Sequence, residues 1–309
     1  PAVVPSFMGV VAQLGSPENP HALGFCFASP YRLRFPFSSL NDTDVAGADF
    51  EQAFYRFRLG YAHDFRLQPA GAEGFLTHVA VGLGFDVGVS RLRFKELAPD
   101  FDPDFQLDIE ASDTRVGGGA GLLVGLYDNT RNFKVNLGAA WQSRINYRFS
   151  ATETFTPQFD WPNQYQAGLT LYLFEGLPLR VTVDAQLVEW SEATQESLVD
   201  DNDFEDVVNL SAGVEYRLKI PAISPAMTFY PRAGIRRFDA PWDSTDRQEL
   251  PGIGPRRIVI ETEDDVFLIG SVGLGVGWAA EDGRGRMVDV AFDFGGDVNG
   301  LAFSFTLEL

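Results

Sequence analysis

Long apolar runs are missing from this chain. Of its 309 residues 45% are hydrophobic, yet apolar positions are interrupted every second or third residue by Gly, Asp, Arg, Asn or Gln. A spanning helix needs about 20 consecutive apolar residues, so helical membrane spans are excluded. Cysteine is nearly absent as well, and the single Cys26 rules out a disulfide framework within the chain. Its setting between Phe25 and Phe27 predicts a buried, inert thiol, because a reactive one needs electropositive surroundings. Basic residues are in deficit: 24 Lys and Arg against 43 Asp and Glu give a net charge of −19. That excludes a nucleic-acid partner, since phosphate backbones are held by clusters of Lys and Arg, and it points to acidic surface loops. The three histidines, His21, His63 and His78, are too few and too scattered in sequence for a zinc site. No metal and no cofactor are therefore expected. No Ser/His/acid arrangement is readable either, so no catalytic residue is assigned and the chain is not read as an enzyme. The chain opens on Pro1 and not Met, which reads as a processed or trimmed form in which a missing signal peptide says nothing about export.

What the chain has instead is a period of two. From Phe133 to Phe149 the odd positions are Phe133, Val135, Leu137, Ala139, Trp141, Ser143, Ile145, Tyr147 and Phe149, and the even ones include Lys134, Asn136, Gln142, Arg144, Asn146 and Arg148. One face is oily and the other polar, the pattern of a strand. The same split runs through Phe75 to Val89, Val208 to Lys219 and Leu301 to Leu309. Strands are expected near 6–14, 22–35, 51–67, 75–94, 114–127, 132–155, 163–173, 178–190, 206–219, 225–238, 264–280, 285–294 and 298–309. Short turn-like connectors such as Asp128-Asn129-Thr130 alternate with long acidic ones such as Glu96 to Asp113, Glu192 to Asp206 and Ala240 to Glu263. A membrane barrel needs this alternation, with tight turns on the periplasmic side and long loops outside.

A soluble sandwich also alternates, but its strands are typically about five or six residues long and its outer face is polar. Many of these strands run well past that length. In several, the face opposite the oily one is Gly and Ala, as at Gly117, Gly119 and Gly121 or Gly273, Gly275 and Gly277, which suits the crowded inside of a barrel. Neither glycine run opens a helix, so neither is read as a phosphate-cradling loop. Tyr147, Phe149, Tyr165 and Trp278 near strand ends fit interfacial girdles. Asp100-Phe101-Asp102-Pro103-Asp104 imitates the start of a calcium loop but lacks the Gly and Glu such a loop requires. It reads as a solvated acidic loop, as does Asp200 to Asp203.

Several segments together resemble the FadL family of outer-membrane transport proteins for hydrophobic compounds. They are Gly24-Phe-Cys-Phe-Ala-Ser29-Pro30-Tyr31, Gly138-Ala-Ala-Trp-Gln-Ser-Arg-Ile-Asn-Tyr147, Gln166-Ala-Gly168-Leu and Asp184-Ala-Gln-Leu-Val-Glu-Trp190-Ser191. The resemblance implies an all-β, transmembrane antiparallel β-barrel of about 14 strands, an N-terminal hatch inside it, and a lateral opening in its wall. The family's hatch carries an Asn-Pro-Ala element, of which only Pro1-Ala2 could be a remainder. Most of the hatch is thus expected to be missing, with residues 1–20 as its end or the first strand and residues 21–309 as the barrel.

Alternation also places charges inside: Arg56, Arg58, Arg144, Arg148, Arg180, Asp184, Glu215, Arg217, Arg232, Arg236, Asp289 and Asp293. A charge facing lipid at mid-bilayer costs about 2–4 kcal/mol, which assigns them to the lumen. Either they form a salt-bridge network that fills the barrel, or some of them bind an anionic head group such as a carboxylate. Arg56, Arg58, Arg144 and Arg148 are the ligand-binding candidates. The expected function is passive uptake of fatty acids or aromatic hydrocarbons across the bacterial outer membrane, with lateral release into the membrane. Expected partners are outer-membrane lipid or lipopolysaccharide and a hydrophobic small molecule. The alternative is a FadL-like barrel serving as a structural or secretion-system subunit whose long acidic loops bind other proteins.

Overall fold

The computed structural model describes residues 7–16, 19–28, 32–38, 47–69, 73–97, 106–129, 132–150, 158–173, 178–192, 205–220, 227–239, 247–249, 257–259, 266–279, 285–295 and 298–307. The strands are β1 (Phe7–Ser16), β2 (Asn19–Ala28), β3 (Arg32–Ser38), β4 (Gly47–Arg66), β5 (Gly74–Leu97), β6 (Gln106–Asn129), β7 (Phe133–Gln142), β8 (Ile145–Arg148), β9 (Gln158–Trp161), β10 (Gln164–Leu173), β11 (Leu179–Val188), β12 (Val207–Tyr216), β13 (Leu218–Lys219), β14 (Met227–Asp239), β15 (Arg247–Glu249), β16 (Arg257–Val259), β17 (Val266–Ala279), β18 (Gly285–Gly295) and β19 (Val298–Leu307). One 3₁₀ turn, Trp190–Glu192, follows β11.

The wall is an antiparallel meander in the order β1-β2-β4-β5-β6-β7-β10-β11-β12-β14-β17-β18-β19, with β3 and β13 added on β4 and β14. Thirteen strands on this path match the sequence expectation, although β9, β15 and β16 are short elements that periodicity does not reveal. The path is open between β1 and β19 among the described residues. Turns such as those between β1 and β2 or β6 and β7 lie at one end, and the longer connections lie mainly at the other. The short-turn end is the periplasmic one by the usual asymmetry of such barrels.

Burial is inverted relative to a soluble protein. Phe25, Leu59, Phe85 and Val183 are each more than half exposed, as are Leu83 and Val116 at 64%. These residues sit on one face because the strand period is two. An exposed apolar surface of this extent needs a nonaqueous neighbour, and for an antiparallel meander that neighbour is lipid. The opposite face carries Gly60, Gly82, Gly84, Gly119, Gly121, Ala140, Gln164, Gln166 and Gln186, which line a cavity of about 370 Å³. Cys26 pairs with Arg58 on this inner face and is half-buried.

Among the described residues nine hydrophobic side chains form a core: Phe54, Leu92, Ile145, Tyr147, Phe149, Trp161, Val188, Trp190 and Val207. Their position corrects the sequence reading. The expected strand over 132–155 stops at Gln142, and β8 pairs with β9 in a separate two-stranded sheet. Tyr147 and Phe149, expected in an interfacial girdle, are buried at 2% and 1% exposure. A Cβ on Gly117 would lie 2.8 Å from Ile145 Cγ1, and one on Gly88 would collide with the Tyr147 hydroxyl. The β8–β9 hairpin is thus folded inward against the glycine-lined inner face of β5 and β6. Polar alternation continues unbroken through Ser143-Arg144, which is why periodicity did not signal the departure. The Asp100–Asp104 and Asp200–Asp203 stretches lie outside the described residues.

Candidate functional site

The lumen divides into a packed upper part, at the long-loop end, and a polar middle. In the upper part Phe54, on the inner face of β4, meets Trp161 with ring centroids 5.1 Å apart and Tyr147 at 5.7 Å, and Trp161 meets Trp190 edge-on at 6.3 Å. Burying aromatic rings of this size is worth about 2–3 kcal/mol each. That is enough to hold a short hairpin whose own ladder, β8 with β9, is separate from the ladder of the wall. Burial pushes the Tyr147 phenol well above its usual pKa, so the hydroxyl stays protonated.

Polar contacts fasten the hairpin at its base. The backbone N–H of Arg144 donates to Asn163 Oδ1 at 2.8 Å, and Asn163 Nδ2 donates to Glu189 at 3.1 Å. The Arg144 guanidinium donates to the Glu192 carbonyl at 2.6 Å and lies 3.6 Å from Asp160. Asp113 on β6 accepts the backbone N–H of Arg148 at 2.7 Å, while the Arg148 side chain is exposed. Two of the four candidate arginines, Arg144 and Arg148, therefore sit on the hairpin and not in the wall, and Arg144 is engaged in joining two loops.

Arg56 and Arg58 are where alternation puts them, on the inner face of β4, opposite Gly88 and Asp86 of β5. Arg58 donates from Nε and Nη2 to the two carboxylate oxygens of Asp86, each at 2.6 Å, in a bidentate pair. Gly84 and Gly119 leave room for that guanidinium, since a Cβ there would stand 3.2 and 3.1 Å from its nitrogens. Asp86 is fully buried and saturated by Arg58. Arg56 differs: its Nε and Nη1 are buried and have no hydrogen-bond partner among the described residues. Guanidinium nitrogens left in this state carry a desolvation cost that an incoming anion would relieve. Sequence reasoning missed Asp86 as the acid that separates the roles of the two arginines. Their positions two apart on a polar face were the available signal, and the acid opposite appears with the register of β4 and β5.

The second group of charges forms a ladder across β11, β12, β14 and β18. Glu215 accepts from Arg180 at 3.0 Å and from Arg232 at 2.5 Å, and Arg232 reaches on to Asp289. Arg180, Glu215 and Arg232 border a cavity of about 400 Å³ with Asp184, Arg236 and Asp293. Here the interior charges do form a network. Arg217 lies at the break between β12 and β13, its backbone N–H donating to the Pro178 carbonyl at 2.8 Å.

This geometry can be set beside known proteins. No family model and no curated protein matches the sequence. A crystal structure of a Pseudomonas aeruginosa FadL homologue superimposes with a TM-score of 0.57 at 13% identity, covering 94% of this chain and 70% of that one. The chain has the FadL-type barrel fold. The crystal structure of the Ralstonia pickettii toluene transporter TbuX is also similar, with a TM-score of 0.52 at 15% identity over 95% of this chain and 77% of that one. At these identities the likeness concerns the fold, and it agrees with the outward apolar face in making this an outer-membrane β-barrel.

Proposed function

We propose that the protein is a passive outer-membrane channel for hydrophobic molecules, and that the molecules it prefers carry a carboxylate, as long-chain fatty acids do. The observation that carries this reading is Arg56, a half-buried lumen cation whose Nε and Nη1 are buried without a hydrogen-bond partner among the described residues, close to an aromatic cluster that includes its neighbour Phe54. A carboxylate at Arg56 would accept charge-assisted hydrogen bonds, and an acyl tail would lie along apolar side chains. The likeness to the toluene transporter TbuX supports hydrophobic cargo in general.

Lateral release into the bilayer is part of the proposal. The pairing of β4 passes from β2, which ends on Ala28↔Arg56, to β3, which begins on Arg32↔Ala53. The β1 ladder reaches only Phe7↔Ala28, so among the described residues β3 has β4 as its one neighbour in the wall. Arg56 stands where the wall partner of β4 changes from β2 to β3 among the described residues, and a head group bound there would direct its tail toward that seam.

Binding of a labelled long-chain fatty acid to the detergent-purified protein tests the proposal, with a neutral aromatic hydrocarbon run in parallel. Arg56→Leu should weaken fatty-acid binding about ten- to hundredfold, the loss of one charge-assisted contact of about 1.5–3 kcal/mol, and leave hydrocarbon binding unchanged. Equal binding of the fatty acid by both proteins would refute the carboxylate preference. Unchanged uptake by cells lacking the protein would refute the channel itself.

A further inference from the structure

We propose that His21, His63 and Tyr61 form a binding site for a divalent transition-metal ion of the copper–nickel–zinc class, on the outward face near the periplasmic end of the wall. The proposal is independent of the transport reading. The sequence gives no hint of it, because 42 positions separate the two histidines. Strand pairing removes that distance: His21 on β2 stands directly opposite His63 on β4, two rungs from the pair Leu23↔Tyr61.

Two further donor atoms lie close to His21 Nδ1. His21 Nδ1 lies 2.9 Å from His63 Nδ1 and 2.6 Å from the Tyr61 hydroxyl oxygen, with the two imidazole centroids 4.4 Å apart. A neutral imidazole nitrogen either donates one hydrogen bond or accepts one. His21 Nδ1 therefore has two close partners and the capacity to satisfy one of them well. A cation between the three atoms would use the lone pairs of all. Metal–nitrogen bonds of about 2.0–2.1 Å across a 2.9 Å separation subtend about 90° at the ion. That is the angle between neighbouring ligands in a tetragonal Cu(II) or Ni(II) site, whereas tetrahedral zinc would need the nitrogens roughly 3.3 Å apart. Copper also heads the affinity order for nitrogen ligands.

Access is adequate. His21 is the third residue of β2, so at about 3.3 Å per residue it lies within roughly 10 Å of the strand end. Both imidazoles are partly exposed and Tyr61 is 46% exposed. The third histidine, His78, is on the inner face, next to Thr77 and near Gly125 of β6, and takes no part.

Titration of tag-free, folded protein in detergent with CuCl₂, followed by electron paramagnetic resonance and calorimetry, tests the site. One saturable ion per chain is expected, with hyperfine structure from two imidazole nitrogens in the wild-type spectrum. His21→Ala and His63→Ala should each weaken binding at least tenfold, Tyr61→Phe a few-fold, and His78→Ala not at all. The wild-type spectrum decides the question even where a variant fails to fold. No saturable binding, a spectrum without two nitrogens, or affinity unchanged in the folded His21→Ala variant would overturn the proposal.

Discussion

The upper and middle parts of the lumen use the same inner face of β4, β5 and β6 in opposite ways. In the upper part glycine makes room for a neighbouring segment of chain: Gly88 and Gly117 accept Tyr147 and Ile145, and the space fills with aromatic rings. In the middle, Gly84 and Gly119 make room for a single guanidinium, and much of the remaining volume stays open. The difference teaches that a stripe of small residues inside a barrel does not define a pore. What fills it is decided by the next loop: Ile145, Tyr147, Phe149 and Trp161 are apolar enough to fold in, whereas among the described residues nothing comparable faces Gly82 or Gly121.

The largest effect should come from reversing that distinction. Gly88→Leu places a side chain where the Tyr147 hydroxyl lies and should expel the hairpin, with a loss of about 3 kcal/mol from overpacking and exposed aromatic surface. Trp161 and Trp190 fluorescence would then shift to the red and quench with aqueous iodide. The equivalent change in the middle, Gly82→Leu, should leave that fluorescence unaltered.

Asp86→Asn comes next. It removes the acid between Arg56 and Arg58 and leaves two cations side by side, with an expected cost of about 2–3 kcal/mol because Asp86 is fully buried. A lowered unfolding temperature measured in detergent would register it. Added fatty acid should recover part of the loss, since both arginines would then lack a partner. Recovery equally strong in the Arg56→Leu background would show that the fatty acid acts elsewhere.

Glu215→Gln, in the charged ladder, should cost less, about 1 kcal/mol, because Arg180 and Arg232 keep 40% and 30% side-chain exposure and water replaces the lost acceptor. Its effect should shrink further at high salt. Smallest of all, Arg144→Ala should cost under about 1 kcal/mol, since Arg144 is one-third exposed and Glu192 is more than half exposed. It should nevertheless raise hydrogen exchange in the hairpin amides while leaving those of β10 and β11 protected.

The same division explains what was legible in the sequence. Alternation reports which face a residue occupies while its strand stays in the wall, and there it placed Arg58, Arg180, Glu215, Arg232 and Asp289 correctly on the inside. It does not report when a strand ends. Ser143-Arg144 keeps the parity of Trp141-Gln142, so Ile145, Tyr147 and Phe149 looked lipid-facing, and only tertiary packing onto Phe54 and Leu92 turns them inward. Pairing partners are equally silent, because register depends on both strands. Asp86 could not be matched to Arg58, nor His21 to His63, without the ladder.

The central claim is that odd and even positions of these strands face different solvents, lipid outside and a polar lumen inside. Spin labels placed singly at Leu83, Val183 and Leu210, and at Gln166, Thr182 and Ser211, test it directly in reconstituted bilayers after Cys26→Ser replacement. The account predicts that the first three are relaxed by lipid-soluble oxygen and shielded from a water-soluble nickel chelate, and that the second three show the reverse. Equal accessibility of Val183 and its neighbour Thr182 to the two reagents would contradict it.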